Sequence, residues 1–326
     1  MRTTMRGTPV VAAPGKLFLV GEYAVLEGGT AVLAAIDRLA SGQFMAGLEP
    51  ESPFVAESVR AAALAIGDMA VALPYGSVLV DTSTFTEGAS KLGLGSSAAT
   101  AVASVGAVME LAGMSIADNR DLLFSIADGA HRTAQGGMGS GADVAASVYG
   151  GVVRFRRPPG GAPAIETLPP PASLEMVAFW TGEPADTASR VEAVQAFGRR
   201  ARPVYESIVG NLVALGDQFA NALIDDNVGE AIAAVRAYGQ GLVDLGAAAE
   251  VRIVTAPFLR AAELAAATGG AAKPSGAGGG DVGIALFPER DAAGAFTARA
   301  REAGLLVLDL GIELAGAHRR QPGGPR

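Results

Sequence analysis

A glycine-rich turn, residues 91–99, carries the residues best suited to chemistry in this sequence. Gly93 and Gly95 permit backbone conformations that are closed to residues with a Cβ atom, so successive N–H groups can point into one concavity. Ser96 and Ser97 then begin an apolar segment with helical spacing, where unpaired N–H groups meet the positive end of the helix dipole. The pattern predicts a phosphate-binding loop with two hydroxyls available to an oxygen-preferring cation.

The same turn also fits a structural interpretation, in which the glycines form a turn and a serine caps a buried helix. It is not a Walker A loop, because no Gly-Lys-Ser/Thr sequence closes it. The rest of the chain has to decide between these interpretations.

Two lysines lie beside glycine turns. Lys16 follows Pro14-Gly15 between two apolar segments, and Lys91 lies at the mouth of the glycine-rich turn. Each is explained either as a side chain that extends to water or as a cation held near a phosphate. Glu22 and Tyr23, just past a predicted strand, are candidates for substrate contact, with exposed loop polarity as the alternative.

Two further glycine-dense loops occupy residues 134–143 and 271–281. The first ends in Asp143, in the first turn of a predicted helix, where a carboxylate is electrostatically favoured. A structural, cap-like aspartate is therefore one explanation. The other is that the glycines bring the backbone close to a ligand while Asp143 faces it.

Strands and helices must hold these loops in position. The spacing of apolar residues predicts such elements along the whole chain. Strands are predicted at 10–13, 17–20, 31–36, 77–81, 150–155, 174–180, 282–287 and 305–310. Helices are predicted at 57–66, 100–112, 118–133, 144–149, 188–197, 204–223, 228–247, 257–268 and 292–303. A turn at Pro14-Gly15 and a frayed tail from His318 are also expected. Proline-rich residues near 156–171 separate a first domain, 1–165, from a second, 166–326.

Composition narrows the functional classes. The 326 residues suffice for two cores, and half of them are hydrophobic with 18% charged, as in globular proteins. A net charge of −8 argues against nucleic acid as the main partner. The chain has no cysteine, which excludes disulfides and thiolate catalysis, and only two histidines, which leaves little for a zinc site.

No apolar run approaches the ~18 residues of a membrane span. The basic N-terminus is followed by an apolar run, residues 10–13, that is too short for a signal peptide and is broken by Pro14. We therefore expect a cytoplasmic protein without a membrane or nucleic-acid partner. The sequence leaves open whether it is a monomer or homodimer.

Together the three loops resemble the motifs of the GHMP small-molecule kinase superfamily. Residues 14–25, 93–99 and 273–281 resemble its first, second and third motifs, in the right order and across almost the whole chain. The resemblance implies an α+β, two-domain GHMP kinase fold. Its N-terminal domain would be similar to ribosomal protein S5 domain 2, its C-terminal domain would be ferredoxin-like, and the active site would lie in the cleft between them.

Within the superfamily, the residues of these motifs are most similar to those of the phosphomevalonate kinases. The first motif has Gly-Glu-Tyr where mevalonate kinases typically have Gly-Glu-His, and the third has Lys-Pro-Ser-Gly-Ala-Gly-Gly-Gly-Asp. Residues 131–145 contain the matching Ala-Gln-Gly and Gly-Ser-Gly-x-Asp patterns. Mevalonate kinases have a magnesium-binding glutamate upstream of this aspartate. Here His131 and Arg132 occupy that region, as anion ligands or as structural residues of the helix, and the second magnesium ligand stays open.

The resemblance implies phosphoryl transfer from ATP to 5-phosphomevalonate, with ATP and Mg²⁺ bound, in isoprenoid precursor synthesis. The implied catalytic residues are Lys16, Lys91 and Asp143. The implied ATP-phosphate site is Gly93, Leu94, Gly95, Ser96, Ser97 and Ala98, with Mg²⁺ on Ser96 or Ser97. The implied substrate contacts are Glu22, Tyr23, Ser140, Lys273, Ser275, Gly276, Ala277 and Gly278. Asp143 would be a base or an orienting group, because an ionised phosphate acceptor needs no strong base.

Three alternatives remain. A mevalonate kinase would share the fold and the donor but use an alcohol acceptor. A diphosphomevalonate decarboxylase is disfavoured, because its serine-rich loop before an arginine is absent. A non-catalytic binding protein of the same fold predicts erosion of Lys16, Asp143 or the phosphate loop, and all three are intact.

Overall fold

The computed structural model describes residues 8–67, 75–88, 90–137, 139–169 and 173–321. The strands are β1 (Val10–Val20), β2 (Ala31–Ala46), β3 (Gly76–Asp81), β4 (Thr86–Glu87), β5 (Ser90–Lys91), β6 (Val152–Arg156), β7 (Ala164–Leu168), β8 (Glu175–Trp180), β9 (Ala271–Pro274), β10 (Val282–Phe287), β11 (Leu306–Leu308) and β12 (His318–Arg319). The helices are α1 (Pro53–Ile66), α2 (Ser96–Leu111), α3 (Arg120–Ala134), α4 (Ala142–Tyr149), α5 (Thr187–Arg200), α6 (Arg202–Ile224), α7 (Val228–Ala249), α8 (Ala256–Ala266) and α9 (Arg290–Glu302). Over these described ranges, no helix combines the length and apolarity needed to cross a bilayer.

Two antiparallel sheets organise the described residues. The first has the order β12-β1-β2-β6-β7, with β3 paired to the far half of β2, and the second has the order β11-β8-β10-β9. Counted along the second half of the chain, the second sheet has the strand order 4-1-3-2 of a ferredoxin-like sandwich, as predicted. The α+β class is confirmed.

Helix α2 runs against the first sheet and is buried on nearly every side. Small residues permit this close approach: a Cβ atom at Gly42 of β2 would lie 2.8 Å from the Ala103 carbonyl oxygen. On α2 itself, a Cβ atom at Gly106 would lie 2.9 Å from Val11 Cγ1. The predicted phosphate loop therefore precedes a helix that is held firmly by packing.

The turn expected at Pro14-Gly15 is instead part of the continuous strand β1, opposite a bulge formed by Asp37 and Arg38 of β2. Pairing of β1 with β2 continues on both sides, from Pro14 opposite Leu39 to Gly15 opposite Ile36. The interrupted pairing opposite this bulge tolerates Pro14, which has no N–H to donate to the neighbouring strand. Gly15 is needed there because a Cβ atom would lie 2.6 Å from the Leu94 carbonyl oxygen.

The expectation of a frayed tail from His318 is wrong for the described residues. His318 and Arg319 pair with Ala12 and Val11, and this pairing extends the first sheet beyond β1. An unpaired strand edge supplies N–H and carbonyl groups that a returning segment can satisfy. Residues 322–326 of the predicted tail lie outside the described residues.

The predicted division between residues 165 and 166 falls inside β7, which pairs with β6 of the first sheet. The C-terminal strand β12 also belongs to that sheet. The two domain ranges stay a prediction.

Candidate active site

A cavity of about 340 Å³ lies where the three glycine loops converge. The predicted site residues that line it are Lys16, Lys91, Gly93, Gly95, Ser96, Ser97, Asp143, Ser275, Gly276, Ala277 and Gly278. They come from β1, β5, the starts of α2 and α4, and the loop between β9 and β10. The fold thus joins residues that are more than 250 positions apart in the chain.

The phosphate loop has the backbone geometry that its glycines predicted. Gly93 and Gly95 have φ angles of +77° and +85°, and α2 begins directly after Gly95 without a side-chain cap. Within the described residues, the N–H groups of positions 93–98 have no hydrogen-bond acceptor. The side chains of Leu94 and Ala98 are buried, so only their N–H groups are suited to a ligand. This run of free donors at a helix start is suited to an anion.

Lys16 presents a nearly buried ammonium group to the cavity. Its side chain packs on Gly95, where a Cβ atom would lie 2.9 Å from Lys16 Cγ, and the residue is 8% exposed. Among the described residues, no hydrogen bond or ion pair reaches this ammonium group. Burial lowers the pKa of Lys16, while the charges of Asp143, Asp281 and Glu22 raise it. The arrangement leaves a cation available to an anionic ligand.

Asp143 lies in the first turn of α4, as predicted. Its Oδ1 accepts a hydrogen bond from the Val144 N–H at 3.0 Å, which is a local, cap-like contact. Its Oδ2 lies 4.0 Å from His131 Nε2, and the side chain is 22% exposed at the cavity. The structural and functional interpretations therefore apply to different oxygens of one carboxylate.

His131 is a buried link between two glycine loops. Its Nε2 lies 3.2 Å from Ser97 Oγ and 3.3 Å from the Gln135 amide nitrogen, and the residue is 1% exposed. Among the described residues its Nδ1 has no hydrogen-bond partner. The imidazole thus connects the hydroxyl of the phosphate loop with the neighbourhood of Asp143. Neither His131 nor Arg132 lines the cavity.

Lys273 differs from its predicted role in substrate contact. Its ammonium donates hydrogen bonds to Glu22 Oε1 and, at 2.8 Å, to the Pro274 carbonyl oxygen, with its side chain fully buried. The Gly276 N–H donates to the same Glu22 oxygen at 3.3 Å. Lys273 lines neither the main cavity nor its neighbour and instead anchors Glu22 behind the third loop. Burial lowers the pKa of Lys273, and the Glu22 charge opposes this shift.

Two more bonds join the first motif to the third loop. The Tyr23 hydroxyl donates to the Ala277 carbonyl oxygen at 2.6 Å. The Phe18 N–H donates to Ser275 Oγ at 2.7 Å. The predicted residues Tyr23 and Ser275 therefore hold the cleft together while also lining it.

A second cavity, of about 150 Å³, adjoins the first. Its apolar wall includes Phe18, Val25, Leu26 and Val191, and its polar wall includes Glu22, Tyr23, Ser140 and Asp143. The Ser140 hydroxyl accepts a hydrogen bond from the Ala142 N–H at 3.2 Å. Asp143 lines both cavities and so marks their junction.

Sequence reasoning assigned no role to several residues of the site. Asp281 closes the third motif and lines the main cavity, together with Gln135 and Thr187. Arg190 lies over the third loop and donates to the Gly279 carbonyl oxygen at 3.1 Å. A charged residue after three glycines was the available signal for Asp281, whereas nothing in the local sequence indicates the position of Arg190.

Comparison with known proteins agrees with this geometry. The family model for the GHMP kinases N terminal domain matches residues 59–151, and that for GHMP kinases C terminal matches residues 224–305. Together the two models span more than half of the chain.

The chain is 29% identical to phosphomevalonate kinase of Streptomyces sp. strain CL190, over 96% of this chain and 100% of the relative. It is 28% identical to mevalonate kinase of Pyrococcus furiosus, over 86% of this chain and 90% of the relative. Among solved structures, Streptococcus pneumoniae phosphomevalonate kinase in complex with phosphomevalonate and AMPPNP superposes with a TM-score of 0.78 at 22% identity, covering 93% of this chain and 99% of that chain. At 22% identity, the similarity to the Streptococcus pneumoniae structure shows a shared fold.

Proposed function

Because the chain belongs to the GHMP kinase family, as its motifs predicted, we propose that it transfers the terminal phosphoryl group of ATP to 5-phosphomevalonate. The products are 5-diphosphomevalonate and ADP. The observation that carries this proposal is the pair of joined cavities, one lined by a phosphate loop and the other by mixed polar and apolar walls, with Asp143 at their junction. The 29% identity to a phosphomevalonate kinase along 96% of the chain supports the choice of acceptor.

The larger cavity suits the ATP phosphates. The free N–H groups of residues 93–98 would bind phosphate oxygens, and the ammonium groups of Lys16 and Lys91 would compensate their charge. Phosphoryl transfer depends mainly on positioning and on stabilising charge on the transferred group. Fixed donors and cations suit this task because they need little reorganisation during the reaction.

A magnesium ion is part of the proposal, and the oxygen donors at the site fit it. The hydroxyls of Ser96 and Ser97 line the cavity close to the Asp143 carboxylate, and hard divalent cations prefer such oxygen ligands. When bound, Mg²⁺ would neutralise phosphate charge. The contact of Ser97 Oγ with buried His131 would hold that hydroxyl in one orientation.

The smaller cavity suits the organic part of the acceptor. Its apolar wall would pack on methyl and methylene groups, and the Ser140 hydroxyl would contact a polar substituent. The acceptor phosphate would then lie near Asp143 and Lys16, opposite the ATP phosphates. This phosphate is ionised at neutral pH, so Asp143 would orient Lys16 and the bound phosphates rather than remove a proton.

An assay of ADP release with Mg-ATP, run in parallel on 5-phosphomevalonate and mevalonate, tests the proposal. Turnover on 5-phosphomevalonate and not on mevalonate is expected. Turnover on mevalonate alone would refute the acceptor and support an alcohol kinase, in which Asp143 has to serve as a base. Absence of turnover on both, with ATP still bound, would support a binding protein of this fold.

A further inference from the structure

Asp281 is held in an uncommon conformation by the surrounding structure. It is a non-glycine residue with a φ angle of +56°, a region that favours glycine. Its N–H donates to the Glu183 carbonyl oxygen at 2.7 Å, and its own carbonyl oxygen accepts from the Thr181 N–H at 3.0 Å. Its Oδ1 accepts from the Ala185 N–H at 3.0 Å. The carboxylate is therefore fixed in direction at the cost of backbone strain.

The side chain of Asp281 lies directly against the phosphate loop. A Cβ atom at Gly93 would lie 2.5 Å from Asp281 Cβ and 2.6 Å from Asp281 Oδ2. Gly93 therefore leaves the space that the carboxylate fills. Because one residue belongs to the second motif and the other to the third, this contact joins two of the loops that line the cavity.

A carboxylate is an unexpected group in a cavity suited to phosphates, since like charges repel. Burial raises the pKa of Asp281, while the Ala185 N–H and the charges of Lys16, Arg190 and Lys91 lower it. Burial of the ionised Asp281 carboxylate therefore lowers the stability of the folded state. Groups kept under strain and unfavourable burial in a cleft are concentrated at functional sites.

We propose that Asp281 is a positioning residue for phosphoryl transfer: its negative charge orients the Lys16 ammonium group from the side of the third loop, while that of Asp143 does so from α4. The inference rests on the proposed kinase activity and adds a residue to it. Both carboxylates line the cavity and both act on the charge of Lys16, which makes no direct hydrogen bond among the described residues. Without Asp281, the Lys16 ammonium group would be attracted by Asp143 alone and would lose its alignment with the transferred phosphoryl group.

Two substitutions test this role without threatening the fold. Asp281→Asn keeps an oxygen for the Ala185 N–H and tolerates the backbone conformation, and Asp281→Gly relieves the strain. We expect Asp281→Asn, which keeps the Ala185 contact, to have a Tm at neutral pH no lower than that of the wild type. We expect kcat to fall about tenfold or more in both, with the KM for ATP nearly unchanged.

Asp226 offers a matched control. It is an exposed aspartate with a φ angle of +51°, outside both cavities. Asp226→Asn removes the same charge, Asp226→Gly removes both the charge and the strain, and both variants should leave kcat unchanged. A merely structural role for Asp281 predicts the opposite result: a lower Tm with kcat preserved in the folded fraction.

A double-mutant cycle with Lys16→Met identifies the partner. If Asp281 acts through Lys16, Asp281→Asn should change the residual kcat of the Lys16→Met protein by less than about threefold. If the double variant instead shows the product of the two single-variant losses in kcat, the proposal is overturned. Recovery of Asp281→Asn by high Mg²⁺ concentration would also overturn it, because this would indicate a metal ligand instead.

Wild-type turnover on the two acceptors is measured first and decides the proposed function separately. Turnover on mevalonate alone would refute the acceptor, and the ratios between variants would still decide the role of Asp281. Absence of turnover on both acceptors would refute both proposals.

Discussion

The Lys273 ammonium group donates a hydrogen bond to the Glu22 carboxylate, and the two side chains are 0% and 2% exposed. The bond joins the first motif to the strand that leads into the third loop, 251 positions away. The Tyr238 hydroxyl also holds Glu22 in position, because it donates a hydrogen bond to the Glu22 carbonyl oxygen at 2.8 Å. A fully desolvated ion pair therefore fixes the distance between two walls of the candidate active site.

Breaking this pair from one side should destabilise the protein strongly. Lys273→Met leaves the Glu22 carboxylate buried without its partner, and we expect a loss of about 3–5 kcal/mol in the free energy of unfolding. Urea denaturation at neutral pH measures it. Arg60→Ala, which removes the exposed Arg60–Glu57 pair, is the control and should cost less than about 1 kcal/mol. Equal losses in the two variants would contradict a structural role for the buried pair.

Asp143→Asn should separate catalysis from folding. The amide oxygen can still accept the Val144 N–H, so the start of α4 is preserved, while the charge near Lys16 is lost. We expect kcat to fall by about 10²-fold, because Lys16 and the bound phosphates lose their alignment, with ATP binding nearly intact by calorimetry. Asp291→Asn, which changes an exposed aspartate in the first turn of α9, should leave both quantities unchanged. Loss of folded protein in Asp143→Asn would instead support a purely structural aspartate.

Lys16→Met should reduce kcat far more than it raises the KM for ATP. The ammonium group is nearly buried, so its attraction to charge on the transferred phosphoryl group is stronger than it would be in water. We therefore expect kcat to fall by about 10²–10³. Steady-state kinetics with varied ATP gives both parameters. A change confined to KM would mean that Lys16 binds the ground state and transition state equally.

The pH profile should report Lys16. Burial lowers its pKa from the ordinary value of 10.5, so the ammonium group loses its proton, and activity falls, as the pH rises through the lowered value. Lys16→Arg should move this alkaline limb to higher pH, because guanidinium stays protonated. The measurement is kcat against pH for both proteins with stability verified at each pH. An identical limb in Lys16→Arg would assign it to another group.

Much of the candidate site follows from local sequence. The positive φ angles at Gly93 and Gly95, the helix that begins at Ser96 and the position of Asp143 in the first turn of α4 were all predicted. Each depends on neighbouring residues only: glycine opens the left-handed region, and apolar spacing begins a helix directly after it. The ferredoxin-like order of the second sheet was implied by the family resemblance, whereas β9 lies in residues that were predicted as part of a glycine loop.

The predictions that failed share one cause. The segment at Pro14-Gly15 stayed within a continuous strand because β2 pairs with β1 on both sides of it, and His318 joined a strand because β1 has an open edge. Neither partner is visible in the local sequence. A turn signal describes the preference of an isolated segment, which tertiary hydrogen bonding can override.

The order of the three motifs and the conformations open to glycine were enough to predict the family, the phosphate loop and the catalytic candidates from the sequence. Three contacts became known from the fold: Lys273 faces Glu22 instead of the cavity, Asp281 lies on Gly93, and His131 reaches Ser97. These contacts join segments far apart in the chain, and their charges acquire a role only when burial removes water from between them.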